Sequence, residues 1–260
     1  MDIAKQLPTV ISFCSGYGGL ERGLDLAGVE HRVIAYVEIE AFAIANLVAK
    51  MESGALVPAP IFTDIKTFPA HLFRDCVDII TGGYPCQPFS AAGKRLGTED
   101  SRHLWPYIRQ HIRTIRPSRC FFENVEGHIS LGLREVIGDL EGAGYDATWG
   151  IFSAAEVGAP HQRKRVYILA DTISAGLQRY AGDGNDSEEP GRYRAQTARS
   201  ISASCVSGGE RNKWPPEPRL GRVVDGCADR VDRIRLLGNG VVPQTAANAW
   251  ITLVNKEITG

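Results

Sequence analysis

Cys86 stands in the stretch GGYPCQPFS at 82–90, with Pro85 before it and Pro88 close after. Proline fixes φ and stiffens the chain on both sides of the thiol. A thiol held this way can be a nucleophile kept at a set place and angle. It can equally be a small apolar residue in a tight loop. A second group favours chemistry. Glu123 follows the apolar run Cys120-Phe121-Phe122, where a desolvated carboxyl would have a perturbed pKa. A thiol and a carboxyl on one rim can act as nucleophile and acid. A third group, Arg163-Lys164-Arg165, opens the run VYILA; such a charge run also occurs as a plain solvated strand end.

These groups need a scaffold that brings strand ends together. Residues 8–13 (PTVISF) read as a short buried strand that runs into CSGYGG and then a short amphipathic helix ending at Gly28. A second strand fits 32–37, followed by a helix over 40–51. Further strands fit 76–81, 118–122, 145–152 and 165–170. Helical spacing marks the stretch from His103 to Ile115, starting near Pro106, and 130–143. Strands alternating with helices predict an α/β fold with a doubly wound, mostly parallel sheet. A last helix after Gly238-Asn239-Gly240 should pack back on that sheet.

In such a sheet, ligands bind at the carboxyl ends of the strands. The turn at 15–19 (SGYGG) lies at one of them, and Gly16, Gly18 and Gly19 let backbone approach a ligand closely. Glu38, at the end of the second strand, is placed to take ribose hydroxyls. A nucleoside cofactor and a turn made only for packing are both consistent with this pattern. The spacing is neither GxGxxG nor a P-loop.

The chain has 260 residues, 43% hydrophobic and 23% charged, enough for one core and a small second lobe. Its formal net charge of −1 supplies no global basic field for nucleic acid, which leaves a local basic surface open. The six cysteines are scattered with no CxxC pair, against a zinc site or disulfide framework and in keeping with a reducing cytosol. No run approaches a membrane span, and MDIAKQLPTV lacks the apolar core of a secretory signal. Residues 172–213 are rich in Ser, Gly, Arg and Asn and poor in large apolar residues, which predicts a loop-rich region.

Together these motifs resemble the DNA cytosine-5 methyltransferases, in family order from residue 10 to 243. FCSGYGG is similar to the family's turn for S-adenosylmethionine, VEIE to its ribose segment and TDI at 63–65 to its adenine segment. GGYPCQPFS is similar to the nucleophile loop, ENV at 123–125 to the segment that meets the target base, PHQRKR to its Pro-Gln-x-Arg-x-Arg, and GNGVVP to its closing segment. The resemblance implies Cys86 as nucleophile, with Glu123, Arg163 and Arg165 completing the catalytic set. It places Phe13, Ser15, Gly16, Tyr17, Gly18, Gly19, Glu38, Ile39, Asp64 and Ile65 at the cofactor, with Pro85, Leu104, Asn239 and Gly240. Asp64 would meet the adenine amino group. Ser90, Lys94, Arg95 and Arg102, in the loop after Cys86, would touch DNA.

It further implies a flipped cytosine in double-stranded DNA, no metal, a monomer without a membrane and a cytoplasmic bacterial or phage-encoded protein, which leaves three roles open: a functional counterpart to a restriction endonuclease, a stand-alone enzyme, or protection of phage DNA. Residues 1–171 with 230–260 would form the catalytic domain and 172–229 a small target-recognition region. The chain departs from the family pattern at Cys14, where Phe is usual, at His161, where Gln is usual, and at Gly240, where Ser is usual. The alternatives are an RNA cytosine-5 methyltransferase, a non-catalytic DNA-binding subunit and a nicotinamide-dependent oxidoreductase.

Overall fold

The structure is a computed structural model that describes residues 7–85, 104–172 and 240–259. Cys86, Ser90, Lys94, Arg95, Arg102 and Asn239, and the expected recognition region beyond Thr172, lie outside the described residues.

Seven strands form one sheet: β1 (Thr9–Phe13), β2 (Arg32–Val37), β3 (Ile61–Phe62), β4 (Ile79–Gly82), β5 (Arg119–Val125), β6 (Tyr145–Ser153) and β7 (Lys164–Thr172). Their order across the sheet is β3-β2-β1-β4-β5-β7-β6. The pairs β2·β3, β1·β2, β1·β4 and β4·β5 are parallel. β7 is antiparallel to both neighbours, so the sheet is parallel only as far as β5. Every residue of β1 and β4 is buried. That suits their mostly apolar sequences, in which even Thr9, Ser12 and Thr81 are buried, since parallel strands are covered on both faces.

Among the described residues six α-helices cover the sheet: α1 (Gly19–Leu26), α2 (Ala41–Glu52), α3 (Trp105–Ile115), α4 (His128–Leu131), α5 (Leu133–Glu141) and α6 (Pro243–Thr259). The helix expected over 130–143 is two, separated at Gly132, whose φ of −171° lies far from helical values. The core divides into two clusters. Ile11, Phe13, Ile80, Phe122 and Ile168 meet α3 and α5 residues on one face. Val10, Tyr36, Phe121, Tyr167 and Leu169 meet α1 and α6 residues on the other. α6 therefore packs back on the sheet, as its sequence suggests. Gly23 is required there: a Cβ added to it would stand 2.6 Å from the Ala246 Cβ of α6.

The chain leaves β1 toward β2 and later returns to place β4 on β1's other side. Strand order reverses between β1 and β4, which opens a crevice at their carboxyl ends. The turn Cys14–Gly18 leaves one side of that crevice and Gly83–Pro85 the other.

Candidate active site

The turn after β1 is built from backbone in unusual conformations. Cys14, Gly16 and Gly18 have φ of 49°, 54° and 80°. A Cβ added at Gly16 would meet nothing within 4 Å, so the turn faces open space there. The Gly16 N–H donates to Glu38 Oε2 at 2.7 Å, and the Glu40 N–H donates to Oε1 at 2.9 Å. Glu38 thus bridges the ends of β1 and β2, with each oxygen carrying one N–H. Beside it, Ile39 is 70% exposed and offers an apolar side chain suited to a flat ring. Ser15 Oγ donates to the Ser12 carbonyl at 2.9 Å, and Lys50 Nζ to the Tyr17 carbonyl at 2.6 Å. Burial pushes the Cys14 thiol up to about 12, with Glu38 adding to it, so Cys14 is a neutral lining group.

Sequence grouped Phe13, Tyr17 and Ile65 with the cofactor. Phe13 is fully buried, its ring edge-on to Phe68 at 5.5 Å, and it has no surface to offer. Ile65 is 6% exposed, its side chain in the core. Asp64 lies next to it, partly exposed, with Oδ1 accepting the Lys66 N–H at 2.8 Å. Tyr17 turns toward the closing segment, donating its hydroxyl to the Val241 carbonyl. Arg163 donates Nη2 to the neighbouring Gly240 carbonyl. Tyr17 and Arg163 therefore grip the closing segment from two sides, and Gly240 and Val241 form one wall of a crevice lined also by Cys14, Gly16, Tyr17 and Gly83. Gly18 and Gly19 are buried, and a Cβ at Gly19 would stand 2.9 Å from the Val241 carbonyl. Pro85 is exposed, and Leu104 packs at the head of α3.

Glu123 lies near the end of β5, 6% exposed, on the same rim. Arg165 of β7 brings Nε to 3.0 Å from Oε1, as an ion pair without an aligned hydrogen bond. Burial raises the carboxyl to about 7, against the pull of Arg165 and Arg163. A carboxylic acid that exchanges its proton near neutrality is suited to acid catalysis. A Cβ on Gly83 would lie 3.5 Å from Glu123 Oε2, so this acid sits beside the backbone that leads toward Cys86.

That backbone is held by residues which sequence reasoning missed. Asn124 donates Nδ2 to the Tyr84 carbonyl at 3.1 Å. The Tyr84 hydroxyl lies 3.1 Å from Nε2 of His128, an imidazole with no exposed surface that burial lowers to about 4. The Tyr84 ring packs on Trp105, with centroids 5.4 Å apart. The chain on either side of segment 86–103 therefore meets at one aromatic contact.

The crevice lies at a strand-order reversal and has a protonatable acid on its rim. The chain belongs to the C-5 cytosine-specific DNA methylase family, whose model matches residues 8–204. It is 34% identical over 166 residues to the type II methyltransferase M.NaeI of Lentzea aerocolonigenes, covering 62% of this chain and 39% of that protein. It is 31% identical over 166 residues to M.NgoMIV of Neisseria gonorrhoeae, covering 62% and 51%. The chain thus spans about half or less of the length of these relatives. Among solved structures, the S. pombe Dnmt2 methyltransferase shares the fold, with a TM-score of 0.62 over 96% of this chain and 99% of that one, at 19% identity.

Proposed function

We propose that this chain methylates carbon 5 of a cytosine flipped out of a specific double-stranded DNA sequence, through a transient bond from Cys86. The observation that carries the reading is Glu123: a buried carboxyl held near neutrality, paired with Arg165, beside the strand exit that leads to Cys86. The family supports the reaction class.

The residues fit S-adenosylmethionine, which supplies the methyl group from its sulfonium. Each Glu38 oxygen accepts one N–H and keeps a second lone pair for a ribose hydroxyl. Ile39 offers an exposed apolar side chain to the purine, and Asp64 has Oδ2 for its amino group. Pro85, Leu104, Asn239 and Gly240 complete the expected set, with Gly240 holding the crevice wall through Arg163.

The Cys86 thiolate adds to carbon 6 of the base while protonated Glu123 delivers its proton to ring nitrogen 3. The electron pair displaced from the 5,6 double bond makes carbon 5 nucleophilic, and carbon 5 would take the methyl group as its bond to the sulfonium sulfur breaks, leaving the neutral thioether. A base then takes the carbon 5 proton, nitrogen 3 returns its proton to Glu123, the thiolate departs from carbon 6, and the 5,6 double bond returns. Arg165 keeps positive charge beside Glu123 and would hold carbonyl oxygen 2 of the base. Arg163 shares that task in the family pattern and also anchors Gly240. The base must leave the stack to reach these groups.

In this reading residues 1–171 with 230–260 form the catalytic domain. Residues 172–229 read the DNA, and Ser90, Lys94, Arg95 and Arg102 contact it after Cys86. Relatives named type II methyltransferases support a restriction endonuclease as the functional counterpart of a cytoplasmic, monomeric enzyme. Among the described residues no helix is long and apolar enough to cross a membrane, and no group of His, Cys, Asp and Glu could hold a metal ion.

The test is methylation of a mixed-sequence duplex by the purified chain with S-adenosylmethionine, read base by base beside Cys86→Ala. Carbon 5 methylation within one short motif, lost in the variant, is the expected result. A folded, cofactor-binding chain that leaves DNA unmodified but methylates RNA would overturn it.

A further inference from the structure

α3 carries a buried imidazole that the reaction does not use. His111 is 7% exposed, and its Nε2 lies 2.6 Å from the carbonyl oxygen of Ile65. Its ring packs against Phe13 at 5.6 Å and Phe68 at 5.5 Å. A carbonyl oxygen only accepts, so Nε2 carries the hydrogen and the tautomer is set. Burial keeps the ring neutral, opposed only by the bond to Ile65.

The segment it holds is the turn that carries Asp64. This turn follows β3, a two-residue strand that pairs with β2 only at Ile61 and Phe62. So short a pairing gives little control over what comes next. Inside the turn the bonds are local: Lys66 N–H to Asp64 Oδ1 at 2.8 Å, Thr67 N–H to the Asp64 carbonyl at 3.3 Å and Phe68 N–H to the Ile65 carbonyl at 3.4 Å. These local bonds shape the turn, and the buried side chains of Ile65 and Phe68 seat it in the core. His111, 46 residues further along the chain, ties the turn to α3 by a buried side-chain hydrogen bond. α3 is itself tied to α5 by Trp105 Nε1 and Arg109 Nη1, both donating to Asp139.

We infer that His111 is a positioning residue that sets the purine specificity of the cofactor pocket, by fixing Asp64 at the height of the purine's 6-substituent. The inference rests on the proposed function in assigning Asp64 to that edge. An amino group at position 6 donates to a carboxylate. A carbonyl there, as in the hypoxanthine base, meets it with repulsion. Discrimination between the two depends on where the carboxylate stands, and so on the bond to Ile65.

The experiment is calorimetric binding of S-adenosylhomocysteine and S-inosylhomocysteine to the full chain, with melting temperatures in parallel. His111→Phe keeps an aromatic ring against Phe13 and Phe68 and removes the donor. His111→Asn carries an amide too short to reach the Ile65 oxygen, and His111→Gln carries one at about the reach of Nε2. Wild type should prefer the adenosyl ligand. In the Phe and Asn variants that preference should shrink about tenfold, as expected for a misplaced hydrogen-bonding partner, and the Gln variant should keep it within about threefold. An unchanged ratio in whichever of the Phe and Asn variants folds, with only the melting temperature lowered, would reduce His111 to a core residue and overturn the inference alone. A folded wild-type chain that binds neither ligand would overturn the proposed function and this inference with it.

Discussion

Glu123 and Arg165 stand on neighbouring antiparallel strands with Oε1 and Nε 3.0 Å apart, yet the carboxyl stays near neutrality in its pKa. Burial outweighs the attraction of two guanidiniums. The pair therefore has a proton to give and a cation beside the site where the resulting charge remains.

The first expectation concerns that proton. Carbon-13 NMR of Glu123 should show a midpoint near 7. In Arg165→Met the midpoint should climb further, because a lowering influence is gone. A midpoint in the ordinary carboxylate range would mean that water reaches the group.

Stability should carry the same signature. A carboxyl whose folded pKa is raised from 4.5 to about 7 holds its proton more tightly in the folded chain than in the unfolded one. Its cost to stability is absent below about pH 4.5 and grows until about pH 7. Over that window Glu123→Gln should gain on wild type, by up to about 3 kcal/mol. Thermal melts across pH test the sign, and a gap that narrows with rising pH would contradict it.

The two arginines should separate kinetically. Arg165→Met should lower kcat by roughly 100-fold or more, as for loss of a charge-stabilising donor, with cofactor affinity kept. Arg163→Met, which releases Gly240, should weaken cofactor binding first, and Tyr17→Phe should do the same more mildly. Equal losses in kcat alone for both arginines would deny the distinction.

Tyr84→Phe keeps the aromatic packing and removes the bond to His128. The prediction is a several-fold slower single-turnover methyl transfer with unchanged cofactor binding, on the order of one lost buried hydrogen bond. An unaltered transfer rate would leave His128 as packing alone.

Gly23→Ala should lower the melting temperature by several degrees, since overpacking costs about 1–3 kcal/mol. Ala246→Gly in the same chain should recover only part of it, because the Ala246 Cβ is the nearest clash but the Pro243 carbonyl oxygen stands at 3.1 Å and glycine weakens the helix.

Much of this site was readable in sequence, since its parts sit at strand ends. The turn after β1, Glu38 after β2 and Glu123 at the end of β5 each follow an apolar run whose direction is plain. What escaped depends on neighbours distant in the chain. Nothing local marks β7 as antiparallel: its residues would suit either direction, and pairing with β5 and β6 decides it. The break at Gly132 was hidden because residues on both sides share helical spacing. His111 reads as an ordinary helix residue and His128 lies outside the helix expected over 130–143, and their contacts are with a carbonyl and a hydroxyl 46 and 44 positions away. Tyr17 lines the crevice as its place in the turn suggests, but the anchor of its hydroxyl, the Val241 carbonyl 224 positions away, has no local signal.

The reversed direction of β7 constrains how segment 173–239 can be exchanged. Thr172 pairs with Tyr145 and Asp171 with Arg119, at the edge of the sheet opposite Glu123. Gly240 is back at the Glu123 edge, gripped by Arg163. The two junctions are separated by the length of a nine-residue strand, roughly 30 Å. A graft from a relative must bridge that height, and a direct splice needs a linker of about ten extended residues. A shorter splice would drag α6 off α1 or pull β7 out of the sheet.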